Sequence, residues 1–157
     1  MEFKNLINAD MKRIVYVDMD NVLVDFKSGI ERVDAQTQRE YEGHFDDVPH
    51  IFSKMKPIDG AIDAFNQLSE RYDLYILSTA PWDNPTAWSE KLEWVQKYLG
   101  ESGYKRLILS HHKNLCHGEI IIDDRTANGV DKFAGRHIHF GSEEFPNWAS
   151  VLRVLIG

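Results

Sequence analysis

The feature that most constrains this chain is an alternation of short apolar runs with segments of helical period. Residues 13–18 (RIVYVD), 73–78 (DLYILS), 105–110 (KRLILS), 119–123 (EIIID) and 136–140 (RHIHF) read as strands. Residues 58–71 follow Pro57 and set Ala61, Ile62, Phe65 and Leu68 on one helical face. Residues 86–99 read as a second helix, with Trp88, Leu92, Val95 and Leu99 as its buried stripe and Gly100 as its C-terminal stop. The tail, 146–156, reads as a helix packing Trp148, Val151, Leu152 and Leu155. Strands that alternate with helices pair in parallel, with the crossovers laid on the sheet faces. The expectation is an α/β chain with a three-layer, Rossmann-like sheet.

One stretch breaks the pattern. Residues 26–56 are polar, charged and only weakly helical in period. They follow strand 1 directly, so they predict a small helical cap over the carboxyl edge of the sheet. No repeat or linker divides the chain, and 157 residues suit one domain, 1–157.

Bulk properties exclude several classes. An apolar share of 43% with 27% charged residues describes a globular chain and not a disordered one. The net charge of −7, with no Lys/Arg-rich block, argues against a nucleic-acid polymer as partner. Cys116 is the only cysteine, which rules out an intrachain disulfide and fits a reducing compartment. Residues 1–7 lack the apolar run of a signal peptide, and no segment approaches the roughly 20 apolar residues that span a bilayer. The expected location is the cytoplasm, with no membrane association.

In open parallel sheets, ligands bind beyond the carboxyl ends of the strands. Strand 1 ends in Asp18-Met19-Asp20-Asn21-Val22, strand 2 in Ser78-Thr79-Ala80, and strand 4 in Asp123-Asp124, while Lys113 follows strand 3. Clustered carboxylates repel and raise one another's pKa, a conflict that a divalent cation removes. An oxygen-only site with few protein ligands suits Mg²⁺, which accepts substrate phosphate as a further ligand. A hydroxyl and a lysine would hold the remaining phosphoryl oxygens. Asp18, at the strand end, is placed for in-line attack on phosphorus. Asp20, two residues on, is placed to protonate the leaving alkoxide and then to activate water.

These residues resemble the four ordered motifs of the haloacid dehalogenase (HAD) superfamily of phosphatases. A closer resemblance is to the 5′(3′)-deoxyribonucleotidases, the pyrimidine type of 5′-nucleotidase. It is carried by DMDNVLVDF (18–26), STAP (78–81), WVQKYLG (94–100) and HHKNLCHGEIIIDDR (111–125). The resemblance implies that Asp18 is nucleophile and Mg²⁺ ligand, and that Asp20 is acid/base with its backbone carbonyl on the metal. It implies Asp124 as the third ligand, with Asp123 orienting it or a bound water; the sequence leaves the division between these two acids open. Thr79 and Lys113, with Ala80, would hold phosphate. Phe26 matches a position near the nucleobase, although it reads equally as core, and Trp82 would border the substrate. Asn21 stands where the family often has Gly, Ala80 where close relatives often carry Ser, and the insert is shorter than in the animal enzymes.

The function implied is Mg²⁺-dependent hydrolysis of a phosphomonoester, with a (deoxy)nucleoside monophosphate as the small phosphorylated partner. Two alternatives stand beside it. A sugar phosphate or other small metabolite would use the same chemistry under a different cap. A receiver-like signalling module also groups acids, a hydroxyl and a lysine, but its phospho-accepting Asp follows the acid pair, whereas here the Asp-x-Asp comes first. His111, His112, Cys116 and His117 lack structural-zinc spacing and read as loop residues around Lys113. Exposed aromatics on the insert would suit a homodimer as readily as a substrate.

Overall fold

The computed structural model describes residues 11–157; residues 1–7, read above for a signal peptide, lie outside the described residues. Strand β1 (Ile14–Val17) is a segment of four β-branched or aromatic side chains in a row. It lies at the centre of the main sheet, whose order is β5-β4-β1-β6-β7, and every pairing in that sheet is parallel. In chain order the elements are β1, the two-residue strand β2 (Val24–Asp25), helices α1 (Phe26–Ile30) and α2 (Ala35–Glu40), and β3 (Lys56–Pro57). There follow α3 (Ala61–Arg71), β4 (Asp73–Ser78), α4 (Pro85–Tyr98), β5 (Leu107–Leu109), β6 (Ile120–Asp123), β7 (Arg136–His139) and α5 (Trp148–Leu155).

Successive side chains of the central strands point to opposite faces. Val15, Val17, Leu74, Ile76, Ile120 and Ile122 enter the larger core, together with Phe65 and Leu68 of α3, Trp94 and Val95 of α4, and Trp148 and Val151 of α5. Tyr16, Leu77 and Ile121 face the smaller one, which is closed by Val130 and Phe133 from the β6–β7 connection. That second layer is thin, for its regular structure is the single 3₁₀ turns Lys113–Leu115 and Val130–Lys132. Among the described residues, no helix is long and apolar enough to cross a membrane.

The chain runs outward from β1 to β4 and β5, then crosses back to β6 and β7 on the other side. The direction of winding therefore switches between β1 and β6, and a crevice opens there at the strand ends. Asp18 follows one of these two strands and Asp123 ends the other.

The insert departs from and returns to adjacent points. Val24 pairs with Pro57 and Asp25 with Lys56 in an antiparallel ladder that ties off its base. Asp25 and Asp34 cap α1 and α2, each accepting a backbone N–H from three residues on. Gly29 lets α1 approach closely, since a Cβ there would lie 2.7 Å from Met55 Cγ and 3.2 Å from the Ile51 carbonyl. Buried side chains of α4 and its N-terminal approach hold the insert down. Asn84 donates to the Asp46 and Val48 carbonyls, Glu90 accepts from Ser53 N–H and meets His50 Nδ1, and Trp94 donates to the Met55 carbonyl.

These contacts correct the stripe read from the sequence for this helix. Its buried residues are Ala87, Glu90, Lys91, Trp94 and Val95, whereas Leu92 is exposed and Trp88 only partly buried. Hydrophobic periodicity reads Glu90 and Lys91 as outward-facing, because it does not register the partners that make their burial affordable.

Candidate active site

Four strand ends deliver their side chains to the β1/β6 crevice. Lys113, buried in the turn after β5, lies between two of the acids. Its ammonium donates to Asp18 Oδ1 at 2.9 Å and to Asp123 Oδ2 at 2.5 Å. Its backbone N–H donates to the Asn128 carbonyl, which fixes the turn. Burial pulls the Lys113 pKa down, but Asp18 and Asp123 outweigh it, and the net shift is upward.

Asp18, Asp123 and Asp124 each offer a carboxylate oxygen, and these oxygens all lie within 4.8 Å of one another. They are the acids expected from the sequence to gather here, and the geometry separates their situations. Both oxygens of Asp123 are engaged, Oδ2 by Lys113 and Oδ1 by the Arg125 backbone N–H. Asp124 Oδ1 is buried without a hydrogen-bond partner. Burial, and then the negative charges of Asp18 and Asp123, push the Asp124 carboxyl up to about 7. The Asp123 carboxyl is raised as well, by burial and then Asp18, against the pull of Lys113. A crowded trio with one orphaned oxygen fits a hard divalent cation such as Mg²⁺. Histidine and cysteine contribute nothing to it: Asp18, Asp123 and Asp124 are the metal-capable group found among the described residues.

Asp20 stands apart from that trio. Lys91, reaching in from α4, donates to both of its oxygens at 3.0 Å. Its carboxylate is therefore held by Lys91 and is not part of the metal-capable group of Asp18, Asp123 and Asp124. Burial raises the Asp20 carboxyl pKa and outweighs the opposing Lys91; Asp18 adds to the rise. Asn21 next door has φ of +60°, the left-handed region that glycine enters most easily and asparagine next. Asparagine therefore suits this position, and the turn it makes brings three N–H groups, of Val22, Leu23 and Val24, onto the Met19 carbonyl.

The remaining expected residues fall less evenly. The Thr79 hydroxyl is turned to the Ser110 carbonyl at 2.8 Å. Ala80 is fully buried, and its methyl group offers no hydrogen bond to a phosphate. Beside Asp20 opens a cleft of about 380 Å³ lined by Asp20, Asn21, Phe26, Gly43, Phe45, Asp46 and Arg125. Phe26 thus lines the cleft, and it also packs edge-on against Phe52 with ring centroids 5.8 Å apart. Trp82 is not among the lining residues; it is 77% exposed and rests edge-on against His111.

One residue of the site escapes the sequence reading. Lys91 is fully buried, and its third donor goes to Ser78 Oγ at 3.0 Å. Arg125, which the sequence offers either as a partner of an active-site acid or as a turn residue, lines the cleft and opposes the rise of the Asp124 pKa.

Comparison with known proteins points to one family and one fold. The chain is 58% identical, over 92% of its length and 85% of the other's, to a protein of Vibrio phage KVP40 that carries the 5′(3′)-deoxyribonucleotidase name. It is 27% identical, over 88% of its length and 78% of the other's, to the human 5′(3′)-deoxyribonucleotidase of cytosolic type. Its fold is similar to that of the HAD-hydrolase YfnB from Bacillus subtilis, solved bound to magnesium, with a TM-score of 0.64 and 14% identity over 93% of this chain and 99% of that one. It is also similar to the haloacid dehalogenase-like protein SP0104 from Streptococcus pneumoniae, with a TM-score of 0.55 and 19% identity over 90% of each chain. Residues 27–154 match the model of one family, and on that match and the phage relative the chain belongs to the 5′ nucleotidase, deoxy (pyrimidine), cytosolic type C family.

Proposed function

We propose that this chain is a Mg²⁺-dependent phosphoric monoester hydrolase acting on deoxynucleoside monophosphates through a phosphorylated Asp18. The observation that carries the chemistry is the acid trio around Lys113, with the orphaned Asp124 oxygen inside it. The deoxyribonucleotidase names of the phage and human relatives support the substrate class. So does the 380 Å³ cleft with Phe26 and Phe45 on its wall, a volume within the range of small-molecule sites.

In this reading Asp18 and Asp124 hold the metal by their side chains and Asp20 by its backbone carbonyl, while Asp123 stays on Lys113 and the Arg125 N–H. When bound, Mg²⁺ would neutralise the acid cluster and the charge of the phosphoryl group. Lys113 holds Asp18 Oδ1, so the other oxygen attacks phosphorus. The bond to the ester oxygen breaks, and the departing alcohol takes a proton from Asp20. Burial, which raises the Asp20 pKa, suits a group that must carry that proton. Asp20, now a carboxylate, then takes a proton from the water that attacks phosphorus, which releases inorganic phosphate and restores Asp18. Thr79 swings its hydroxyl from Ser110 to a phosphoryl oxygen, and the insert serves as the cap over a single domain, 1–157.

Phosphate release from a panel of deoxynucleoside monophosphates, ribonucleotides and sugar phosphates, with Mg²⁺ and with chelator, tests the reading. Metal-dependent kcat/KM should be highest on the deoxynucleotides. Sugar phosphates turned over as well or better would remove the nucleotide assignment, and undiminished turnover in chelator would remove the metal.

A further inference from the structure

A fully buried lysine costs free energy unless each donor finds a partner. Lys91 spends its three donors on Asp20 Oδ1, Asp20 Oδ2 and Ser78 Oγ, all at 3.0 Å, and the Phe52 ring of the insert lies 4.5 Å from its nitrogen. Asp20, at the other end of this bond, lines the cleft. Lys113 is committed to Asp18 and Asp123 and Lys91 to Asp20, while neither buried lysine bonds Asp124.

We infer that Lys91 is a positioning residue that holds the Asp20 carboxyl in place for proton transfer to the leaving group. The inference rests on the assignment of Asp20 as acid/base above. Asp20 lies beyond the end of β1, in an isolated bridge to Val24, and among the described residues Lys91 is the hydrogen-bond partner of its carboxylate. A grip on both oxygens fixes its orientation. Lys91 itself cannot drift, because Ser78 at the end of β4 and Phe52 from the insert close its remaining sides. Proton transfer needs a donor within hydrogen-bond reach of the leaving oxygen, and a misplacement of about 1 Å costs on the order of 100-fold in rate.

The test compares two esters. An alkyl phosphate, the best substrate of the panel above, expels an alkoxide that must be protonated. p-Nitrophenyl phosphate expels a nitrophenolate that leaves without a proton. Their kcat/KM values report ester cleavage alone, before hydrolysis of the phosphorylated enzyme. Lys91→Met and Asp20→Asn should each lose about 100-fold or more on the alkyl ester and less than about tenfold on the nitrophenyl ester. Ser78→Ala should show a smaller loss with the same bias, and it decides the matter if Lys91→Met no longer melts cooperatively. Equal losses on both esters, or none, in Lys91→Met beside a biased Asp20→Asn would overturn the role of Lys91 alone. An unbiased Asp20→Asn would overturn the acid/base assignment and this inference with it.

Discussion

A carboxylate oxygen that has lost its water and gained no donor is poised for a cation, and Asp124 Oδ1 is such an atom. Its carboxyl, pushed up to about 7, makes metal binding depend on pH. The free acid's pKa is about 4, so the folded value is raised. Without metal, this group favours the folded state fully below the unfolded value, and the contribution is lost as pH rises through about 7. A cation reverses the preference, because it binds the ionised carboxylate and expels the proton. Mg²⁺ should therefore raise the melting temperature more above pH 7 than well below it. Equal stabilisation at both ends would show that Asp124 is not the titrating ligand. At this scale the sequence was legible where a motif names a residue: Asp18, Asp123, Asp124 and Lys113 meet as expected. Lys91 was not, since a lysine on a helix reads as solvated until its partners, 71 and 13 residues away in the chain, are known.

The element that organises the site from outside the sheet is α4, with its approach at Asn84. One face of it touches the insert through Asn84, Glu90 and Trp94, and the turn after β1 through Lys91. Asn84 is the most informative contact to remove. Its amide is buried and bridges two insert carbonyls, at 2.8 and 3.0 Å; Ala would leave the Asp46 carbonyl without this donor and the Val48 carbonyl with the Ile51 N–H alone. Asn84→Ala should cost about 1–3 kcal/mol by denaturant unfolding. It should also speed proteolysis near residues 45–50 and raise KM more than it lowers kcat. Unchanged stability and proteolysis would mean that the insert is held elsewhere. The strands and three longer helices were legible to within a few residues, because their periods are regular. The face of α4 was not, for its burial is set by polar pairing that hydropathy does not record. The insert was legible as a small helical cap, but the bounds of its helices were not: they have 5 and 6 residues, too short for a period to declare itself.

For the whole molecule, the decisive fact is that winding reverses between β1 and β6, so Asp18 and the Asp123-Asp124 pair flank one crevice. That placement follows from alternation and chain order alone, which is why the sequence could point to the edge where function sits. The thinness of the second layer could not be read, since 3₁₀ turns leave no periodic trace. The net charge of −7 and a site that gathers acids agree with a chemistry in which a cation is recruited to meet a phosphate. The central claim is that Asp18 carries the phosphoryl group between two half-reactions. Acid-quenching the Mg²⁺-loaded enzyme during turnover and weighing its peptides by mass spectrometry tests this directly. The account predicts one added phosphoryl group on the peptide bearing Asp18, and neither that adduct nor phosphate release in a folded Asp18→Asn variant. An adduct on another residue, or wild-type turnover by Asp18→Asn, would contradict it.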